Sequence, residues 1–419
     1  MPLPDPGTRA GTGVLSILPS TPANIFTKDV NFETLKKQIP THDLGVTLKH
    51  ANIENQSSKQ ADLAPHEDGV GLTYTDSEIS HGVYAEGLGA TYGVATPAVA
   101  NAQLNLLASC LGGAPVLSTG SAISGAHTLS KVFEGSALGA HGAKQFLALE
   151  DADGKMRLRP ILNYNAATGE MDLAFELPSI PVDGKIAYGI GNVLMDEVVN
   201  VLLQGDILKR NTLNPLKAAQ NYEFFGGAGT FSIAEAAVNE AFKIQFKHRV
   251  ARHTRYNAKA RIAPLSGRPL ALAGGEFLLG RYGNKTPIYL RFANFGIELG
   301  RTYVADPDAN SDDGLGGWIV NAQDTVVTLY VHDDQAMPAG FAAANFHEAW
   351  RMGGDQNLWH LQLASGQRWL QRVFGLYFPA LRLAMEPEDA DMGEIQCTKL
   401  TFKLVSQLGG ISKIWACCA

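Results

Sequence analysis

The chain has 419 residues with a formal net charge of −7, and 18% of its residues are charged, against roughly 25% in a typical soluble domain. The length allows a sizeable core in one large domain or two closely packed lobes, and the negative charge excludes a coat protein that holds nucleic acid through a cationic tail. Few charges leave little to cover the surface of a monomer, which favours burial of part of that surface between identical copies.

Cysteine spacing and hydropathy indicate the cellular compartment in which the protein is expected. Cys110, Cys397, Cys417 and Cys418 show no paired spacing, which is typical of a reduced, intracellular protein without a disulfide framework. The N-terminal sequence has no basic segment ahead of an apolar core, and no apolar run approaches the length of a membrane-spanning helix. The sequence therefore predicts a protein that is neither secreted nor membrane-spanning.

The N-terminal segment differs in composition from the rest of the chain. Residues 1–30 are rich in Pro, Gly, Ser and Thr and have no hydrophobic periodicity. They are predicted to form an extended arm that lies on its own body or on a neighbouring subunit. Residues 31–419 are predicted to form the body, with two possible sub-lobes, 31–230 and 231–419.

Strand patterns recur along the body. Residues 144–177 carry the clearest one, in which Met171, Leu173, Phe175 and Leu177 follow each other at every second position, and this pattern predicts an antiparallel meander. Other strands are predicted near residues 44–48, 70–74, 276–281, 286–298, 324–332 and 400–404.

Helical signals lie between these strands. Thr96-Pro97 and Gly112-Gly113 bound one predicted buried helix. A capping box at Ser232–Glu235 begins the longest predicted helix, which runs to about Tyr256. Further helices are predicted over about 192–204, 341–352 and 357–375. Because strands and helices follow one another without regular alternation, the expected fold class is α+β, with antiparallel β-sheet regions and several long helices.

Two glycine-rich loops, 82–93 and 187–192, are partial matches to a dinucleotide-binding fingerprint. Tyr92 stands where the first loop needs its third glycine, and Leu194 does so in the second, which impairs close packing of a helix under a pyrophosphate. These loops support an alternative function, a cytosolic hydrolase or transferase. Neither loop is a complete cofactor motif, and no cofactor is expected.

An acidic loop is a candidate cation site. Asp306, Asp308, Asp312 and Asp313 lie together in one segment, and alternating carboxylates of this kind can hold Ca²⁺. The loop lacks the central glycine and the final bidentate Glu of an EF-hand. A solvated acidic loop is therefore the favoured interpretation, and no metal site is expected.

The segment from Ala241 to Gly275 contains no Asp or Glu. Its bases predicted to face nucleic acid are Lys243, Lys247, Arg249, Arg252, Arg255, Lys259 and Arg261. On the predicted helix, residues four apart, such as Lys243 and Lys247, would stack one turn apart. Two explanations stay open, namely contact with the phosphates of a polyanion and a structural or inter-subunit face.

The composition, the extended arm and the basic segment together favour a structural protein over an enzyme. The sequence predicts a self-assembling subunit, a viral or phage capsid (coat) protein whose many copies form a closed icosahedral shell around nucleic acid. Its partners would be copies of itself and, through sequence-independent phosphate contacts, nucleic acid. Its location would be the virion and the host cytoplasm.

Overall fold

The computed structural model describes a large part of the chain. The described residues are 8–19, 38–47, 53–56, 67–70, 77–85, 102–112, 120–135, 141–190, 192–194, 203–211, 218–237, 240, 243–256, 274–288, 290–308, 315–332, 345–365, 373–392, 395–405 and 414–418.

These residues form antiparallel strands and two α-helices. The strands in the first half are β1 (Thr8–Pro19), β2 (Gln38–Thr47), β3 (Ile53–Gln56), β4 (Glu67–Val70), β5 (Ser77–Tyr84), β6 (Ser121–Ala122), β7 (Lys131–Phe133), β8 (Phe146–Glu150), β9 (Met156–Asn165), β10 (Glu170–Leu173), β11 (Ile186–Ile190), β12 (Asn192–Leu194) and β13 (Leu203–Asn211). Those in the second half are β14 (Ala218–Ala237), β15 (Lys243–Val250), β16 (Arg252–Tyr256), β17 (Glu276–Arg281), β18 (Phe292–Glu298), β19 (Arg301–Pro307), β20 (Leu315–Gln323), β21 (Val326–His332), β22 (Trp359–Ser365), β23 (Phe374–Leu383), β24 (Glu388–Met392), β25 (Ile395–Leu404) and β26 (Trp415–Cys418). The helices are α1 (Ala102–Leu111) and α2 (Phe346–Met352), and a 3-10 turn, Gly354–Asn357, follows α2.

The fold is β-rich, and the predicted α+β class with several long helices is wrong. The longest predicted helix, 232–256, consists instead of the end of β14 followed by β15 and β16. In β15, Ile244, Phe246, His248 and Val250 are buried and alternate with more exposed residues, which is the period of a strand with one buried face. Burial of this aromatic and β-branched face outweighs the local capping signal.

The helix predictions over 192–204 and 357–375 are wrong for the residues that the structure describes there, which exclude 195–202 and 366–372. Two other helix predictions are confirmed over shorter ranges. β12 and the start of β13 occupy the two ends of 192–204, and β22 and the start of β23 lie within 357–375. In β22, His360 and Gln362 alternate with Trp359, Leu361 and Leu363, which is the two-residue period of a strand. Every residue of β22 is nevertheless buried, including the two polar ones. The helices predicted at 96–113 and 341–352 correspond to α1 and α2.

Most strand predictions are confirmed. The meander predicted in 144–177 is formed by β8, β9 and β10, and the strand at 276–281 coincides with β17. The strands predicted near 286–298, 324–332 and 400–404 overlap β18, β21 and β25, in that order. The predicted strands near 44–48 and 70–74 overlap only the ends of β2 and β4.

Six strands of the largest sheet close into a ring. Their order is β14–β13–β1–β2–β5–β15, and β15 pairs back onto β14. The 20-residue length of β14 lets its first part pair with β13 and β16 and its second part with β15 and β18. Closure leaves these strands without free edges along the paired stretches. α1 packs against β14 and β1, and its described side chains are buried in a core shared with Ile79, Phe231 and Phe246.

Part of the predicted N-terminal arm lies in this ring. β1 runs between β13 and β2, with Pro19 opposite Leu203 and Val14 opposite Pro40. The segment is therefore extended and lies on the body of its own chain, which is one of the two placements predicted. The arm boundary at residue 30 and the two sub-lobes stay predictions.

The large sheet continues beyond the ring. From β14 it passes through β18, β21, β25 and β23 to β22 and β17, while β24 pairs with β25, and β26 joins β23 to β12. Phe295, Leu329, Trp359, Phe378 and Phe402 belong to the buried cluster that lies under both parts of this sheet.

A smaller six-stranded sheet has the order β6–β11–β8–β9–β10–β7. A bridge between Ile123 and Glu134 joins its two end strands, so this sheet closes as well. Leu147 and Met171 belong to its own core. Its outer side packs against the large sheet, where the ring of Phe175 stacks on His360 with 4.1 Å between the ring centroids.

Candidate functional site

Strand β15 carries three of the predicted nucleic-acid-facing bases on one side. Lys243, Lys247 and Arg249 are separated by even numbers of residues, so they share one face of the strand. Lys247 is exposed, and the other two are half-buried. The bases therefore come together through the two-residue period of a strand and not through the helical spacing that was predicted.

This face opens on a cleft with a volume of about 790 Å³. β5 contributes Glu78, β14 contributes Thr230 and β19 contributes Arg301, which lie beside Lys247 and Arg249. The cleft thus combines carboxylate, hydroxyl and basic groups from four strands, of which only β14 and β15 are neighbours in the sequence.

A glycine forms the turn that brings β19 to the cleft. Gly300 has a φ of +63°, and a Cβ atom at this position would lie 2.2 Å from the carbonyl oxygen of Asp324. Both the backbone conformation and the lack of space require glycine here. The turn directs the chain from β18 into the hairpin β19–β20.

The hairpin β19–β20 forms the outer wall of the cleft. The hydroxyl of Tyr303 donates to the carbonyl of Gly229 over 2.7 Å, and the indole Nε1 of Trp318 donates to the carbonyl of Gly226 over 2.8 Å. These bonds anchor the hairpin on β14. The guanidinium of Arg249 lies 4.9 Å from the centroid of the Trp318 ring and donates to the carbonyl of Tyr303, which adds a cation–π contact.

The bases of the cleft have partners within the chain. Nζ of Lys247 lies 3.0 Å from Oε2 of Glu78, with side-chain exposures of 56% and 37%, and such an exposed pair contributes little to stability. Arg301 is buried, and its Nη1 donates to the carbonyl of Cys110 over 2.9 Å. A ligand in the cleft would therefore meet groups of both signs, which suits a polar protein surface as well as phosphates.

Two histidines stack in the core beneath the cleft. The rings of His81 and His248 are 5.4 Å apart with an interplanar angle of 6°. Burial lowers the pKa of His248 to about 4, and burial together with His248 lowers the pKa of His81 well below its usual value. Both histidines are therefore neutral near neutral pH.

A serine contacts one of these histidines. Oγ of Ser109 lies 2.9 Å from Nε2 of His248, and the Ser109 hydroxyl donates to the carbonyl of Leu106 over 2.6 Å. A serine–histidine contact can activate a nucleophile where a substrate reaches it. Here both side chains are buried, and the contact satisfies polar groups inside the core.

A second buried polar cluster lies inside the small closed sheet. The carboxylate of Glu134 accepts hydrogen bonds from the backbone N–H of His141 and the hydroxyl of Tyr164, each over 2.7 Å, and it also contacts Nδ1 of His141. Glu134 also forms the bridge that closes this sheet. Oγ of Ser121 on β6 lies 3.4 Å from Nδ1 of His141, so the cluster links the two end strands. Sequence reasoning missed it because its members are not adjacent in the chain.

The remaining predicted bases lie elsewhere. Arg252 and Arg255 are in β16, opposite Phe225 and Tyr222 of β14. Lys259 and Arg261 lie outside the described residues.

The acidic loop is partly described. Asp306 is exposed and Asp308 is half-buried, whereas Asp312 and Asp313 lie outside the described residues. Among the residues that the structure describes, no three His, Cys, Asp or Glu side chains are grouped as a metal site. The cation site stays a hypothesis.

The two glycine-rich loops contain strand residues. Gly82 lies within β5, and Gly189 lies within β11 opposite Leu147 of β8. The next described element after β11 is the strand β12, where a dinucleotide site would have a helix. Residues 86–93 and Gly191 lie outside the described residues.

Sequence reasoning also missed the wall formed by β19 and β20. In β19, Arg301 and Tyr303 are buried and alternate with exposed Thr302 and Val304. The buried set includes an arginine and the exposed set a valine, so the sequence shows no apolar–polar alternation here. The available signal for a strand was the run of β-branched and aromatic residues Thr302, Tyr303 and Val304.

In the part of the chain that the structure describes, neither helix is long and apolar enough to cross a lipid bilayer. No protein-family model matches the sequence, and a comparison with curated proteins finds no similar one.

Proposed function

We propose that the chain is a structural subunit that assembles with copies of itself. The observation that carries this proposal is the outer face of the hairpin β19–β20. Tyr303 and Trp318 on its inner face are 5% and 3% exposed, whereas Val304 and Ile319 on its outer face, which are directly opposite each other, are 49% and 54% exposed. Burial of such an apolar pair against a second copy is favourable by about 25 cal/mol for each Å² of apolar surface that is removed from water.

The surroundings of this pair suit a contact between proteins. Thr302 and Asp306 lie on the same face of β19 as Val304 and are exposed, and polar groups of this kind form the rim of an interface. The low share of charged residues supports the same proposal, since part of the surface would be covered in the assembly.

We further propose that the assembly is a closed shell around nucleic acid, as in a viral or phage capsid, with the virion and the host cytoplasm as its locations. Support comes from Lys243, Lys247 and Arg249, which share one face of β15. Contacts from such a row of bases to phosphates need no base-reading motif.

The assembly proposal predicts that the double variant Val304→Thr/Ile319→Thr assembles at a higher protein concentration than the wild type. Threonine keeps the strand propensity, while each substitution removes apolar surface from the contact. We expect the concentration needed for assembly to rise roughly tenfold, which corresponds to about 1.4 kcal/mol per contact. Light scattering over a concentration series measures it.

The matched control is Val182→Thr/Ile186→Thr, at two side chains that are 51% and 42% exposed beside the small closed sheet. This variant should assemble like the wild type. A wild type that remains monomeric at micromolar concentration, or an equal effect of both double variants, would contradict the proposed contact.

The nucleic-acid proposal predicts that Lys243→Gln/Lys247→Gln particles contain less nucleic acid than wild-type particles. Each lost phosphate contact should reduce the slope of log affinity against log salt by roughly 0.7 to 0.9. The ratio of absorbance at 260 and 280 nm measures the content of the particles. Lys131→Gln/Lys403→Gln is the control, because both lysines are exposed and, like Lys247, paired with carboxylates.

The outcome separates the two explanations of the basic face. Loss of assembly with unchanged nucleic acid per particle would assign the face to a subunit contact. No change in either measurement would mean that Lys243 and Lys247 are only solvated.

A further inference from the structure

Strand β24 lies at an edge of the large sheet. Among the described strands it pairs only with β25, from Glu388 opposite Lys399 to Met392 opposite Ile395. Its outer row of backbone N–H and C=O groups therefore has no strand beside it in the described part of the chain. An exposed edge of this kind is a template for pairing with another chain.

The charge of β24 restricts which strand can pair with it. Glu388, Asp389 and Asp391 are exposed, and Glu388 lies 3.4 Å from Lys399. If β24 paired with β24 of a second copy, carboxylates would lie opposite or diagonal to each other, which is destabilising in a sheet. The acidic edge therefore acts against pairing with itself and favours a basic partner.

Strand β16 is a basic strand of the same length. β16 and β24 have five residues each, and β16 contains Arg252, His253 and Arg255. One side of β16 pairs with β14. On the other side, β5 pairs with β15, and this pairing ends with Ser77 opposite Val250. Among the described residues, no strand lies beside this second side of β16.

We propose that β24 of one copy adds to the outer edge of β16 of the next copy. This inference rests on the proposed self-assembly and names a second contact, in addition to the outer face of the hairpin β19–β20. Hydrogen bonds between the two backbones supply attraction that depends little on sequence, and the opposite charges select the partner and its orientation. Arg252 and Arg255, which the sequence predicted to face nucleic acid, are thereby assigned to the contact between subunits.

The contact joins two different surfaces, so every copy carries one β24 edge and one β16 edge. Such a head-to-tail contact closes into a ring or continues as an open array, and it does not stop at a symmetric dimer. Assembly through these edges should weaken as salt rises, because exposed charges are screened.

Two charge-reversal variants test the contact. In Asp389→Lys/Asp391→Lys both edges are basic, and in Arg252→Glu/Arg255→Glu both edges are acidic. Each variant alone should fail to form the full assembly by light scattering at concentrations where the wild type forms it, because only the contact at the hairpin β19–β20 remains. An equimolar mixture should assemble again, because the basic β24 of the first variant meets the acidic β16 of the second, and the reverse pair is also complementary.

The charge control is Asp153→Lys/Asp355→Lys, at two exposed carboxylates on other elements, which should assemble like the wild type. Circular dichroism checks that each variant is folded. Should a reversal variant unfold, Asp389→Asn/Asp391→Asn replaces it, and this variant should assemble with a smaller dependence on salt.

The results distinguish the contact from self-assembly itself. Rescue on mixing supports pairing of β24 with β16. If both reversal variants assemble like the wild type, if their mixture fails although both are folded, or if the Asn variant keeps the full salt dependence, the edge contact is wrong while self-assembly stands. A wild type that stays monomeric overturns the proposed self-assembly.

Discussion

Replacing Glu276 by Leu should lower the free energy of unfolding by about 3 to 5 kcal/mol, because it leaves a buried guanidinium without its carboxylate. Arg159 is 1% exposed, and its Nη1 and Nη2 donate to the two carboxylate oxygens of Glu276 over 2.7 and 2.9 Å. Arg159 lies on β9 of the small closed sheet and Glu276 on β17 of the large one. The variant therefore weakens the attachment of one sheet to the other. Urea unfolding measures the change.

Two comparisons show whether the unpaired charge causes the loss. Asp324→Leu breaks an exposed pair with Lys403, whose atoms are 2.8 Å apart, and should cost less than about 1 kcal/mol. Arg159→Met/Glu276→Leu removes both charges and should recover most of the loss. A Glu276→Leu effect no larger than that of Asp324→Leu would refute the explanation.

Acidification should destabilise the protein strongly between pH 6.5 and pH 4. Burial lowers the pKa values of His248 and His360 from 6.5 to about 4. In this range the unfolded chain binds protons at these histidines and the native chain does not, so the free energy of unfolding falls as the pH falls. The loss should be on the order of 3 kcal/mol for each histidine and should level off below pH 4.

Substitution separates these histidines from the other titrating groups. His248→Gln and His360→Gln should each reduce the slope of unfolding free energy against pH in this window, whatever their stability at pH 7. Equal slopes in the wild type and both variants would show that neither buried histidine titrates as stated. Chemical denaturation at a series of pH values provides the measurement.

The sequence predicted those strands that expose one face. Met171 and Leu173 alternate with half-buried or polar neighbours and lie in the expected meander. β22 was assigned to a helix although His360 and Gln362 alternate with apolar residues, and both of its faces are buried. In β15 the alternation was present, but the capping box and the four-residue spacing of the bases favoured a helix. Both failures come from local signals that tertiary burial overrides.

The candidate site was less predictable than the strands. Lys247 was singled out from its charge, but its partner Glu78 comes from β5, far away in the sequence. The outer wall of the cleft, which the hairpin β19–β20 forms, contributes Tyr303, a residue that the sequence did not mark as part of a site. Pairings that depend on which strands become neighbours cannot be deduced from spacing along one segment.

The closed ring of the large sheet also imposes an order of events during synthesis. Its first strand, β1, needs β13, with Pro19 opposite Leu203, and such pairings across roughly 190 residues form slowly because a long loop must close first. At about 5 to 20 residues per second, β1 leaves the ribosome roughly 10 to 40 s before β13 exists. β5 likewise cannot form its pairing with β15 until β15 has been synthesised. The N-terminal strands are therefore the part of the nascent chain with the greatest need for protection from aggregation, and a chain that stops before β15 cannot close the ring.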